Sequence, residues 1–296
     1  LRPDSTAIKL FAEGVSDLVD FSGALSGGDP SLTMEINPDG AEGTVRFSGA
    51  DKTYENSTFV RGGVLEVALG TTISAEVIVD PDTTGRAVAG GAGDFAGGIQ
   101  VADGGVISPG VGVGMLMSGS QSWESGGACE MGILDPSSGP GIGWDLISIE
   151  GVLGLSATPE NPFLVNIRSL TASGEGGPLA GFSPTEEYSW KIVETTDGVN
   201  GFRGDAFAIQ SDSFNGGLGG VFAVTLEEAG NAIYLTYTPA AGGATVENWL
   251  AENFNAEELS DTSISGWGAD VDSDGLSTLM EYASVSYTHL RAHETS

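Results

Sequence analysis

Cysteine and histidine are almost missing from this chain. Cys129 is the single cysteine, and the two histidines, His289 and His293, fall within the final eight residues. One thiol cannot build a disulfide framework or a cysteine-ligated zinc site, and no histidine lies near it in sequence to make a nucleophile pair. Its surroundings, Ala128-Cys-Glu-Met-Gly-Ile-Leu134, are strand-like, so Cys129 reads as a small buried hydrophobe. Basic residues are scarce as well: Lys and Arg number 10 against 41 Asp and Glu, a formal charge of −31. Phosphate recognition needs the opposite sign, which excludes nucleic acid as a partner and disfavours an anionic membrane surface. No run of 18 apolar residues occurs, so no membrane span is expected. Nucleophile elbows, phosphate loops and metalloprotease helix motifs are also missing, and the chain is expected not to be an enzyme.

Glycine is abundant, at 47 of 296 residues, more than double its usual share of about 7%. Hydrophobic residues still make up 40%, enough to bury a core. From about residue 15 to 239 the pattern is strand, glycine turn, strand. Thr44–Phe47, Val64–Val67, Ile99–Val101 and Ile233–Tyr237 combine β-branched or aromatic residues with partial period-two alternation. Gly-Gly pairs precede an apolar residue at Gly62-Gly63-Val64, Gly97-Gly98-Ile99, Gly104-Gly105-Val106 and Gly219-Gly220-Val221, at irregular spacing. Such short strand pairs cannot bury their own faces, whereas successive turns stacked on one another share one core. The expectation is all-β, either a β-helix or a sandwich-like body.

The sharpest motif lies near the C-terminus, in Asp270-Val-Asp272-Ser-Asp274-Gly275-Leu276-Ser-Thr278-Leu-Met-Glu281. Aspartates at loop positions 1, 3 and 5, glycine at 6 and glutamate at 12 follow the calcium loop of an EF-hand. Alternate carboxylates in a tight loop converge on one hard cation, and Gly275 permits the sharp turn. Leu276 would offer its carbonyl, Thr278 a hydroxyl or bridging water, and Glu281 a bidentate carboxylate. A solvated acidic turn is the alternative, against which stand five matches at fixed offsets. Gly266-Trp-Gly-Ala269 stands where an entering helix would, and Ser277 replaces the aliphatic residue that pairs two loops. One isolated structural Ca²⁺ site is therefore expected.

Phe47-Ser-Gly-Ala50 through Gly62-Gly-Val-Leu-Glu-Val67, and Gly97-Gly-Ile-Gln-Val-Ala-Asp-Gly-Gly-Val-Ile-Ser-Pro-Gly110, resemble the units of bacterial autotransporter-associated β-strand repeats. Gly143–Ile149, Asn161–Phe163, Tyr188–Ile192 and Ile233–Pro239 resemble the strands that close such domains. The resemblance covers roughly residues 40–239. It implies an exported protein, often with a PEP-CTERM sorting tail, and a right-handed parallel β-helix (β-solenoid) closing into sandwich-like strands. It carries over no catalytic residues.

Residues 1–239 are accordingly read as the β-strand repeat domain and 240–244 as a linker. Residues 245–283 are read as a small α-helical calcium-loop module. There Val246, Trp249, Leu250 and Phe254 recur at helical spacing behind Thr245, and Asn255-Ala-Glu-Glu258 is a capping-box pattern. The unit resembles a calcium-binding appendage of exported bacterial proteins, related in loop pattern to dockerin and thrombospondin type 3 repeats. Residues 284–296 hold both histidines and no glycine, and resemble sequencing-adapter read-through. Glu294 beside them is therefore not read as a metal ligand. The chain begins at Leu1-Arg-Pro without an initiator Met and reads as a fragment.

Weaker constellations read as structure. Gly90-Gly-Ala-Gly-Asp94 is taken as a turn, Asp80/Asp82 and Glu186/Glu187 as solvated loop carboxylates, and Asp145 as a turn cap with a second cation as the alternative. Three functional readings follow. The first is a non-catalytic surface or extracellular-matrix protein, secreted or held at the bacterial cell surface, with calcium and extracellular polysaccharide or cell envelope as partners. The second is a β-helix polysaccharide lyase or glycosidase, against which Arg46, Arg61, Arg86, Arg168 and Arg203 show no acid-rich site in sequence. The third is a carbohydrate-binding adhesin using exposed Trp123, Trp144 or Trp190 as stacking platforms.

Overall fold

A computed structural model describes residues 2–3, 7–29, 32–82, 85–110, 112–216, 220–240, 250, 254–270 and 277–278. Among them the chain is almost entirely β, and its strands lie in four sheets. The first holds β2 (Ala7–Leu10), β5 (Thr33–Ile36), β8 (Thr58–Val60), β10 (Val77–Val79), β13 (Ile99–Val101), β16 (Gln121–Trp123), β19 (Leu153–Leu155) and β22 (Val199–Asn200). Each of these pairs in parallel with the next. At one edge β1 (Arg2–Pro3) is antiparallel to β2.

The second sheet holds β3 (Leu18–Phe21), β6 (Thr44–Phe47), β9 (Gly63–Val67), β11 (Ala87–Gly91), β14 (Gly105–Pro109), β17 (Ala128–Ile133), β20 (Phe163–Ser169) and β23 (Phe207–Ser213). It too is parallel throughout, with one register shift between β20 and β23. A third face starts as the parallel pair β4 (Leu25–Gly27) and β7 (Lys52–Tyr54). Single bridges at Lys52–Ile73 and Thr72–Asp94 lead from it to β12 (Asp94–Phe95). Parallel pairing then continues through β15 (Met115–Ser118), β18 (Leu146–Ile149) and β21 (Tyr188–Thr195). The face ends with β25 (Ala232–Pro239), antiparallel to β21, and β24 (Gly220–Leu226) at the edge. The chain thus visits the three faces in rotation, and each circuit lays its strands beside those of the circuit before.

Period-two alternation explains why these short segments are strands. In Thr44–Phe47 and Thr33–Ile36 alternate residues are buried, and the strands Val77–Val79 and Ile99–Val101 bury both ends. Ile36, Val60, Val79, Val101 and Trp123 are partners in register and at most 1% exposed. Val45, Leu65, Ala89, Ile107, Cys129 and Val165 form the matching buried row of the second sheet. The thiol of Cys129 is thus a core group, and burial pushes its pKa up.

Close stacking of circuits also gives the glycine pairs their reason. Gly63 sits at φ +55°, and a Cβ there would lie 2.2 Å from the Gly43 carbonyl oxygen. Gly98, at φ +90°, would meet the Ser120 carbonyl oxygen at 2.4 Å. A side chain at either position collides with the neighbouring circuit. Where a corner must bury polar groups, side chains satisfy them. The buried Asn37 accepts from Ala12 N–H at 2.7 Å and donates to the Gly43 carbonyl at 2.6 Å. The buried Lys52 ammonium donates to the carbonyls of Gly23 and Ser48, both at 2.8 Å, and of Ala50. Burial lowers its pKa.

By internal contacts the chain divides into two compact units. One comprises Leu1–Ser183, Glu187–Leu218 and Phe222–Tyr237; the other comprises Pro184–Glu186, Gly219–Val221 and Thr238–Ser296. In the second unit, α1 (Ala256–Ser260) begins with a capping box. Asn255 Oδ1 accepts from Glu257 N–H and Glu258 N–H at 3.0 Å, and Glu258 Oε2 accepts from Asn255 N–H at 2.7 Å. Of the helical stripe read before it, Leu250 is helical and accepts from Phe254 N–H at 2.8 Å. Thr245, Val246 and Trp249 lie outside the described residues, as does the whole 284–296 tail. No described helix is long and apolar enough to cross a membrane.

Candidate functional site

The predicted calcium loop is described in part. Asp270 and Thr278 are described, whereas Asp272, Asp274, Leu276 and Glu281 lie outside the described residues, with Gly275. Thr278 is buried, and both its N–H, at 2.8 Å, and its hydroxyl, at 3.1 Å, donate to the Ala269 carbonyl. These two bonds hold Thr278 to Ala269. Among the described residues no group of three or more His, Cys, Asp or Glu is placed to hold a metal. Three of the loop's four carboxylates are not among those residues.

A different constellation forms on the outward face of the second sheet. Register places Asp20, Arg46, Glu66, Gly90 and Ser108 in one row across five strands. Glu130, Asn166 and Gln210 form its continuation, and Ser108 Oγ donates to Glu130 Oε2 at 3.0 Å. Arg46 Nη2 bonds Glu66 Oε2 at 2.9 Å. Arg86, just before β11, reaches across to pair with Glu130. Arg168 is in register with Gly132, which has no side chain to oppose it. Among the described residues its guanidinium makes one hydrogen bond, a long 3.5 Å contact to the Gly112 carbonyl.

The result is a groove of about 330 Å³ lined by Glu66, Arg86, Ser108, Glu130 and Arg168 over a floor that includes Gly90, Gly91 and Gly110. A second hollow of about 300 Å³ adjoins it, sharing Glu130 and Arg168 and adding Asn166, Gln210, Asp212 and Ser213. Beside the polar row runs an apolar strip of Val88, Val106 and Ala128, flanked by Val64 and Leu164. Acids outnumber bases about four to one in the whole chain, whereas the groove lining is balanced, with Arg86 and Arg168 beside Glu66 and Glu130.

Next to Gly132 lies Asp145, 1% exposed. Its carboxyl oxygens accept from Gly114 N–H and Gly132 N–H, both at 2.7 Å. Those bonds and the field of Arg168 favour the ionised form. Burial outweighs them, and with a smaller contribution from Glu130 pushes the pKa up to about 8. The expected turn-capping role of Asp145 is corrected: it bridges backbone N–H groups of two distant segments, as a group that carries its proton at neutral pH.

The adhesin reading loses its platforms. Trp123 and Trp190 are 1% exposed and Trp144 8%, and each indole N–H has an internal acceptor. These are Gln121 Oε1 at 2.8 Å, the Lys191 carbonyl at 2.9 Å and the Pro136 carbonyl at 3.2 Å for Trp123, Trp144 and Trp190 respectively. Trp123 also stacks on Phe163 at 4.4 Å between ring centroids. These tryptophans belong to the core. The arginines also need correction, because Arg46, Arg86 and Arg168 gather with acids on one face although their spacing in sequence gives no sign of it. The outward middle positions of β6, β9, β17 and β20 were the available signal. No family model matches this chain, and no curated protein matches it.

Proposed function

We propose that this chain belongs to a non-catalytic, exported surface or extracellular-matrix protein, of the kind that carries autotransporter-associated β-strand repeats. Its body is a right-handed parallel β-helix, and its C-terminal module is ordered by calcium. The observation that carries this reading is the rotation of the chain through three parallel faces whose buried rows share one core. A stack of this kind grows by repetition and presents long side faces without needing a catalytic centre. A charge of −31 suits a salty, calcium-containing exterior, and the loop spacing at Asp270, Asp272, Asp274, Leu276, Thr278 and Glu281 supplies the cation's ligands. The capped helix α1 and the hydrogen bonds from Thr278 to the Ala269 carbonyl are compatible with such a module.

Extracellular modules bind calcium at roughly 10⁻⁴–10⁻³ M. At ~1 mM calcium, mass action then contributes about 0.4–1.4 kcal/mol, enough to order a local module. Calorimetric titration of the whole chain should show millimolar-range binding that Asp272→Ala abolishes and Asp94→Ala leaves intact. No heat, or heat indifferent to Asp272→Ala, rejects the calcium module. A polysaccharide-degrading enzyme is the second reading, favoured by the gathering of Arg46, Arg86 and Arg168 with Glu66 and Glu130. Cleavage of pectate or alginate that a substitution such as Arg168→Gln or Arg86→Gln abolishes would establish it in place of the first.

A further inference from the structure

The outward face of the second sheet has more hydrogen-bonding capacity than it uses. Among the described residues, three buried side-chain atoms lack a partner: Arg46 Nε, Asn166 Oδ1 and Arg168 Nε. All three belong to this one face, and Asn166 and Arg168 line the hollow that shares Glu130 with the main groove. Arg46 and Arg86 are each held by a carboxylate, whereas among the described residues Arg168 has no ion pair, its charge acting on Asp145 at longer range and its hydrogen bond going to a distant carbonyl oxygen. A buried donor or acceptor left without a partner is costly unless something fills it.

We infer that this groove binds a strand of acidic polysaccharide, with a uronate carboxylate on Arg168 and sugar hydroxyls on Asn166, Glu130 and Ser108. A planar guanidinium matches a carboxylate bidentately. Asn166 Oδ1 needs a donor, and the Glu130 carboxylate, already held by Arg86 and Ser108, has lone pairs left for another; hydroxyls provide such donors and phosphate or sulfate groups alone do not. A neutral glycan would satisfy the acceptors but bring no counter-charge to Arg168. Apolar Val64 and Val88 line the same groove and suit the C–H faces of sugar rings. From Glu66 to Gln210 the row crosses six strands, β9, β11, β14, β17, β20 and β23. At about 4.8 Å per strand it extends about 24 Å, room for several sugar units. A peptide adding as an extra strand would use a sheet edge and not this face. The site needs neither the calcium loop nor any catalytic step, so it stands or falls apart from the proposed function.

Calorimetric titration of the full chain with oligogalacturonate and, separately, oligoguluronate tests this, with carboxyl-reduced neutral oligosaccharides as controls. Binding of either acidic probe is expected, weakening as salt is raised, with the neutral counterpart at least about tenfold weaker. Arg168→Gln should weaken binding at least about tenfold and Asn166→Leu by a smaller factor, while Arg203→Gln, far along the chain and paired with Asp205, should leave it unchanged. Asn166→Leu carries the test if Arg168→Gln fails to fold. Binding should persist in EDTA. No binding of either acidic probe, equal affinity for the neutral ones, or binding lost in EDTA would overturn the assignment. So would affinity unmoved in every folded variant among Arg168→Gln and Asn166→Leu.

Discussion

Asp145 makes the stability of the β-body depend on pH in an unusual direction. The folded chain holds the Asp145 proton with a pKa of about 8, against an ordinary value of 3.8. Because the folded-state pKa is raised, the contribution is complete below about pH 4 and is lost as pH rises through 8. Within that window each pH unit removes up to about 1.4 kcal/mol, a total on the order of 5 kcal/mol. Most carboxylates act the other way, so the effect should be isolated by difference. Asp145→Asn removes the titration but keeps the shape. Its single carbonyl oxygen can accept from either Gly114 N–H or Gly132 N–H, leaving the other facing an NH₂ group. That mismatch should cost about 1–3 kcal/mol at pH 4, where wild type is favoured most. The two proteins should then converge and cross between about pH 5 and 7, with the variant more stable at pH 8. Urea unfolding of both proteins at one-unit steps from pH 4 to 8 measures this. Stability curves that stay parallel across the window would refute the reasoning.

Four further tests concern buried groups and the helix cap. Lys52→Met should destabilise the body by about 2–4 kcal/mol in urea unfolding, because three carbonyl oxygens lose their donor. Asn37→Ala strips the partners of Ala12 N–H and the Gly43 carbonyl at a residue with φ +50°, and should lower the thermal midpoint by several degrees. Cys129 should be inert to a thiol reagent in the native state and react fully after denaturation, since it is wholly buried. Asn255→Ala should remove about 1 kcal/mol from α1 alone, seen as faster amide exchange at Glu257 and Glu258 with the β-body unchanged.

Much of the strand pattern was legible because it is local. Thr44–Phe47 and Ile99–Val101 alternate visibly, and both are strands with those bounds. The Asn255 capping box was equally readable, since its partners are three residues apart. Short strands such as Asp94–Phe95 carry too little periodicity to be seen, and they exist because the neighbouring circuit supplies their hydrogen bonds. The groove was hidden for a related reason. Arg46 meets Glu66 across 20 residues and Arg86 meets Glu130 across 44, so unequal loops between circuits erase any fixed spacing. The tryptophans misled because an indole reads alike on a surface and in a core; only tertiary acceptors such as the Lys191 carbonyl decide between them.

The claim on which the rest depends is that successive circuits stack in parallel and in register. Glu35, Phe59, Ile78, Gln100, Ser122, Gly154 and Asn200 are successive partners along the first sheet. Spin labels placed in pairs at residues 35 and 122, and at 35 and 200, span four and six strand spacings. Pulsed dipolar spectroscopy should give backbone separations of about 19 Å and about 29 Å, rising in step with the number of circuits. A distance from residue 35 to residue 200 no longer than that from 35 to 122 would mean that the chain folds back on itself, and would contradict the account.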